Sequence, residues 1–156
     1  MKNKELVELL ISRNITISSI ESYTGGLFAS KLVEIPGSSK TFLGSLVSYS
    51  TLIKENLLKV NKETIDTYNV VSKEVAEEMV KKGKEMFLTD IVVSFTGNAG
   101  PSFIKDSTLG LCFISILFKD KIITFKKEYK NLSRNEIRED SVNFIIEELL
   151  KLLNNL

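Results

Sequence analysis

Residues 91–95, Ile-Val-Val-Ser-Phe, form a short apolar run that stops at Thr96-Gly97-Asn98-Ala99-Gly100-Pro101. A strand that is apolar without alternation is covered on both faces, so this chain needs layers above and below a sheet. The flanking segments supply them. Residues 3–13 place Leu6, Leu9, Leu10 and Ile11 on one helical face. Residues 15–20 alternate as a strand, and a helix follows over about 25–34 with Thr24 as its cap. Pro36-Gly37-Ser38-Ser39 is a turn, residues 42–49 read as a strand, and short helices lie around 51–58 and 62–67. Ser72 caps a helix to about residue 87, with Val75, Met79, Val80, Gly83 and Met86 on its inner side. Strands at about 109–118 and 121–128 flank Asp120-Lys121, a tight antiparallel hairpin. Ser133-Arg134-Asn135-Glu136 is a capping box opening a last helix that buries Ile137, Phe144, Ile145, Leu149 and Leu152. The order predicts a three-layer α/β/α fold with a mixed, mostly parallel sheet of about five strands.

The 156 residues suit a single domain, 1–156. A net charge of +1 provides no general attraction to nucleic acid or membrane, so any anion site is local. No apolar run nears the roughly 20 residues of a membrane helix, and Met1 to Leu10 lacks the apolar core of a signal peptide. Cys112, the one cysteine, reads as a small buried thiol in a reducing cytosol, so the expected location is cytoplasmic. With no histidine, imidazole-based triads and histidine zinc sites are excluded. An enzyme built on this chain uses Lys, Tyr, Ser, Thr, Asp, Glu or Arg.

In open α/β sheets, ligands bind beyond the carboxyl ends of the strands. Two loops have that position. Glu21-Ser22-Tyr23-Thr24-Gly25-Gly26 is either a capped helix start with packing glycines or a seat for a phosphate on free helix-start amides. It is not a P-loop, because no Gly-Lys-Ser/Thr follows. Thr96-Gly97-Asn98-Ala99-Gly100-Pro101 is either a plain turn or room for a flat ring. Arg134 and Arg138, four apart on one helical face, are surface charge or a phosphate grip.

Ser39, Tyr49 and Lys54 are either a serine beside a solvated lysine and a core tyrosine, or a serine with a lysine base, tyrosine relaying or orienting the proton. An unbroken strand over 42–49 would hold its ends about 25 Å apart. The trio then needs a break at Gly44, a reversal at Pro36-Gly37, or a second copy of the chain.

Together these pieces resemble the CinA carboxy-terminal domain family, which includes the nicotinamide-nucleotide amidases. Glu21 to Gly26 resembles the family's Glu-Ser-Cys-Thr-Gly-Gly. Pro36 to Ser39, Tyr49 with Lys54, Val70-Val71-Ser72, Thr96 to Pro101, and the arginines at 134 and 138 follow in the family's order. The resemblance implies hydrolysis of nicotinamide mononucleotide to nicotinic acid mononucleotide and ammonia, without a metal or an organic cofactor. Ser39 would be the nucleophile, Lys54 its base and Tyr49 an assistant. Substrate would be held by Glu21, Ser22, Thr24, Gly25, Gly26, Thr96, Gly97, Ala99, Gly100 and Arg134 or Arg138. The implied partner is a small-molecule nucleotide, with no nucleic acid or membrane, and a homo-oligomer is compatible. The chain departs from the pattern at Tyr23, at Asn98, over residues 102–108 and at Leu132-Ser133. The larger amino-terminal domain of some members is not matched, and its chemistry is not expected here. The rival readings are a non-catalytic nucleotide-binding or regulatory protein, and a serine–lysine hydrolase acting on another amide.

Overall fold

The computed structural model describes residues 1–101 and 108–156, so residues 102–107 of the departing segment lie outside the described residues. The elements run α1 (Lys2–Ser12), β1 (Ile17–Glu21), α2 (Leu27–Val33), a 3-10 turn (Ser38–Lys40), β2 (Phe42–Val47), α3 (Thr51–Asn56), α4 (Lys62–Tyr68), α5 (Lys73–Phe87), β3 (Ile91–Gly97), β4 (Leu111–Phe118), β5 (Lys121–Glu128) and α6 (Arg134–Asn154). The described strands form one sheet in the order β2-β1-β3-β4-β5. β1 pairs in parallel with β2 and β3, while β4 is antiparallel to both β3 and β5. Only β4 therefore runs against the rest, a three-layer α/β/α arrangement.

The β3 run is covered on both sides, as its composition requires. Ile91, Val93 and Phe95 join the cluster built with α1, α2 and α6. Val92 faces the opposite cluster, where Val75, Met79 and Val80 of α5 pack with Ile65 of α4. Ser94, the polar member of the run, donates from Oγ to the Ala76 carbonyl at 2.7 Å. A hydroxyl without that acceptor would be a buried loss of about 1–3 kcal/mol.

Helix starts follow their cap residues at Ser72 and Ser133, the latter with both halves of a capping box. Thr24 is not a cap. The residue preceding α2 is Gly26, in the left-handed region at φ 92°, and no side chain caps it. The hairpin turn consists of Lys119 and Asp120, both with positive φ, which gives the twist that two-residue hairpins need. Met86, expected inside, is 42% exposed, while Phe144 and Leu152 are only partly covered. Gly44 does not break β2. It sits at a bulge, where Ile17 pairs with Phe42 but Ser18 pairs with Gly44.

Gly83 sets how closely α5 approaches the sheet. A Cβ there would lie 2.7 Å from Val92 Cγ1 and 2.8 Å from Ile20 Cγ1. Gly83→Ala gains about 1 kcal/mol of helix propensity but overpacks two parallel strands at a cost of about 1–3 kcal/mol. Urea denaturation should show a net loss of up to about 2 kcal/mol.

Candidate active site

The carboxyl ends of β2, β1 and β3 lie side by side and carry three loops: Ser48-Tyr49, Ser22 to Gly26, and Asn98 to Pro101. Between them opens a cavity of about 560 Å³, lined by Ser22, Tyr23, Tyr49, Gly97, Asn98, Ala99, Gly100, Pro101 and Arg134. That volume falls in the usual range for small-ligand sites. The described residues hold three buried polar side-chain atoms without a partner: Thr24 Oγ1, Ser48 Oγ and Asn98 Nδ2. Orphans of this kind are rare in folded proteins, and these three fall one on each of the loops.

Lys54 is the buried cation of the site, 1% exposed. Ser50 caps α3 by accepting from the Ile53 amide, and the short helix turns the lysine back beneath the loop. Its Nζ lies 2.9 Å from Ser22 Oγ, 2.7 Å from the Ser48 carbonyl and 3.2 Å from the Tyr49 carbonyl. Burial lowers its pKa from 10.5 to about 8. Burial alone accounts for the shift, with no neighbouring cation involved.

Ser39, the expected partner of Lys54, is elsewhere in the chain. It is exposed in the 3-10 turn ahead of β2. The six residues of β2, at about 3.3 Å each, separate it from the Ser48 end by roughly 20 Å. The bulge shortens the strand too little to close that gap, so within one chain the hydroxyl on Lys54 is Ser22. Tyr49 meets Lys54 through its carbonyl alone. Its side chain is 60% exposed, and its hydroxyl accepts from Arg134 Nη2 at 2.7 Å.

The expected binding residues divide between the cavity wall and the interior. Ser22, Gly97, Ala99, Gly100 and Arg134 line the cavity. Arg134 also donates to the Gly100 carbonyl at 2.7 Å, tying the third loop to Tyr49 across the opening. Glu21, the last residue of β1, points into the layer of α2. Its carboxylate accepts from the Phe28 and Ala29 amides at 3.0 Å, and from the Ser19 and Ser45 hydroxyls. The first turn of α2 thus already holds an internal anion, which removes the expected phosphate seat there. Thr96 is also committed inward, donating to the Val70 carbonyl at 2.8 Å. Arg138 donates to the Thr24 carbonyl at 2.9 Å and to Asn135. It braces Thr24, Gly25 and Gly26 from outside, and Gly25 and Gly26 supply the positive φ of that turn. Tyr23 and Asn98 line the cavity but were not expected to. Both stood out in the sequence as departures from a pattern and carried no signal of direction.

Behind the cavity, Tyr23 donates to Ser141 Oγ at 2.9 Å, and Tyr129 shares that hydroxyl at 3.2 Å. Burial, followed by the charge of nearby Cys112, raises the Tyr23 phenol well above its ordinary value. Burial pushes the Cys112 thiol up to about 11, leaving it inert near neutrality. Among the described residues, no group of three or more Cys, Asp or Glu side chains is placed to hold a metal ion, and no helix is long and apolar enough to cross a membrane.

The model of the family described as CinA C-terminal domain matches residues 1–153. A CinA-like protein of Fusobacterium nucleatum is 47% identical over 90% of this chain and 34% of its own length. A CinA-like protein of Prochlorococcus marinus is 43% identical over 96% of this chain and 36% of its own length. This chain therefore spans about a third of the curated relatives it matches. Among solved structures, the competence/damage inducible protein CihA from Agrobacterium tumefaciens superposes with a TM-score of 0.88 at 29% identity, covering 99% of this chain and 96% of that one. A CinA superfamily protein from Klebsiella pneumoniae superposes at 0.94 with 24% identity, covering 99% and 97%.

If Glu21 anchors α2 rather than binding substrate, Glu21→Gln should be a stability variant. An amide nitrogen cannot accept from a backbone N–H, so one helix-start donor loses its partner at a cost of about 1–3 kcal/mol. Thermal denaturation should show that loss, while KM of the folded fraction stays within about twofold of the parent.

Proposed function

The chain belongs to the CinA C-terminal domain family, and on that footing we propose that it hydrolyses the carboxamide of nicotinamide mononucleotide, using Ser22 as nucleophile and Lys54 as base. The observation that carries this reading is the 2.9 Å contact between a buried amine of lowered pKa and a serine on a cavity wall. A serine hydroxyl needs a base to attack a carbonyl, and a base is effective when its pKa lies near the working pH. The surroundings of Lys54 suit both of its protonation states. As ammonium, it has three N–H donors for two carbonyls and one hydroxyl. As amine, it keeps two N–H groups for the carbonyls of Ser48 and Tyr49 and turns its lone pair to the hydroxyl of Ser22.

In the proposed cycle, Ser22 Oγ bonds to the carboxamide carbon while its proton passes to Lys54 Nζ. The carbonyl π pair moves onto oxygen. When that pair returns, the C–N bond breaks, Lys54 gives its proton to the departing nitrogen, and ammonia leaves. Water then attacks the acyl ester with Lys54 taking its proton, and the proton returns to Ser22 Oγ as the acid is released. One amide and one water give one carboxylic acid and one ammonia. Arg134, the guanidinium on the cavity wall, supports an anionic substrate such as a mononucleotide, and gripping it there assists positioning at the amide.

The direct test is ammonia release from nicotinamide mononucleotide by the purified protein. Ser22→Ala should abolish turnover while leaving the mononucleotide bound. Ser39→Ala should retain most of it if each chain works alone. The reverse pattern would place a second copy's Ser39 in the site.

The base predicts a pH profile. Below a pKa of about 8, the neutral fraction of Lys54 falls tenfold per pH unit, to about one tenth at pH 7. The value of kcat/KM should climb from pH 6 and level off above about pH 9. Lys54→Arg should lose as much activity as Lys54→Ala, because a guanidinium keeps its proton. A Lys54→Arg protein with near-normal turnover would show that charge, not basicity, is what the site needs.

A further inference from the structure

Asn98 follows the last residue of β3 and is 1% exposed. Its backbone is fixed on both sides. Its amide donates to the Leu111 carbonyl at 2.9 Å, and its own carbonyl accepts from Gly110 at 2.7 Å. Its side chain is fixed too, since Oδ1 accepts from the Gly100 amide at 3.1 Å. The opposite amide orientation would aim one donor at another, so this contact decides which way the side chain lies. That leaves Nδ2, buried and without an acceptor among the described residues. An idle buried donor is costly, and the fold satisfies such groups at the neighbouring Ser94 and Thr96.

The position of this donor relative to the nucleophile follows from the register. Glu21 pairs with Phe95, so Ser22 lies beside Thr96, and Asn98 is two residues further along the neighbouring strand. At the usual strand spacings, the two backbones are roughly 8 Å apart. Both residues line the one cavity.

We propose that Asn98 is a catalytic residue of the reaction above: its Nδ2 donates to the carbonyl oxygen of the bound carboxamide and holds the negative charge that forms there when Ser22 adds to the carbon. This rests on the amidase reading. A donor fixed before reaction stabilises an oxyanion more than it stabilises the ground-state carbonyl. Its loss therefore acts on kcat rather than on KM.

Two variants separate that role from support of the loop. Asn98→Asp keeps an oxygen for the Gly100 amide and removes the N–H donor, whereas Asn98→Leu removes both. Ammonia release from nicotinamide mononucleotide is measured at pH 9, with kcat and KM resolved and the melting temperature recorded for each protein. Both variants should lose about 100-fold in kcat, with KM of the folded fraction within about threefold of the parent, and both should melt below the parent, Asn98→Asp because it buries a carboxylate. An Asn98→Asp protein within threefold of the parent kcat would overturn the inference and leave Asn98 as a support for Gly100. A rise in KM at unchanged kcat would overturn it as well. Absence of ammonia release from the parent protein would instead overturn the amidase reading, and this inference with it.

Discussion

A single carboxylate at the end of β1 organises the surrounding loops. Glu21 gathers two helix-start amides and two serine hydroxyls, so it fixes both where α2 begins and how it lies against the sheet. A negative charge there is favoured by the aligned peptide dipoles as well as by the hydrogen bonds. With strand and helix joined through this group, the residues between them have little freedom. Ser22 is held by its amide on the Phe95 carbonyl at 3.1 Å, and Gly25 and Gly26 make the turn in the left-handed region.

Against that fixed loop, the fold places a group that opposes folding. Lys54 has no ion pair among the described residues, and a pKa moved from 10.5 to about 8 corresponds to roughly 3 kcal/mol against its charged form. Between those two values the unfolded chain binds more protons than the folded one, so stability should rise with pH across that window and carry the full penalty below it. The apolar clusters on the two faces of the sheet offset the cost. Unpartnered polar atoms and buried charge gathered at the strand ends, over a well-packed core, are the usual division between a site and its scaffold.

Much of this was legible in the chain. The β3 run announced a covered sheet because its composition reports on both faces at once. The caps at Ser72 and Ser133 were legible because a cap bonds three residues away. The CinA family assignment and the three-layer fold were likewise expected from motif order. Pairing across the fold was harder to read. Ser22 and Lys54 meet because α3 turns back beneath the end of β1, which no spacing along the chain encodes. Ser39 sits in a conspicuous motif but at the other end of β2, and a strand carries its two ends apart whatever the motif. Glu21 and Thr96 stand where two strands run into loops of the site, and position along the chain reports no more than that. Glu21 serves the protein because alternation along β1 aims it opposite to Ser22, and Thr96, beside Ser22 in register, is held by the Val70 carbonyl.

The three partners of Lys54 have one more consequence. When a proton moves in a site whose neighbours must then turn, the barrier includes the work of turning them. Here two of the three acceptors are backbone carbonyls, held by the end of β2 and the start of α3, and they face an N–H in either charge state. Only the hydroxyl of Ser22 has to rotate, about a single bond. The lysine can take up and give back a proton with its surroundings nearly still, so little reorganisation energy is added to each transfer, even though no solvent reaches the amine to help.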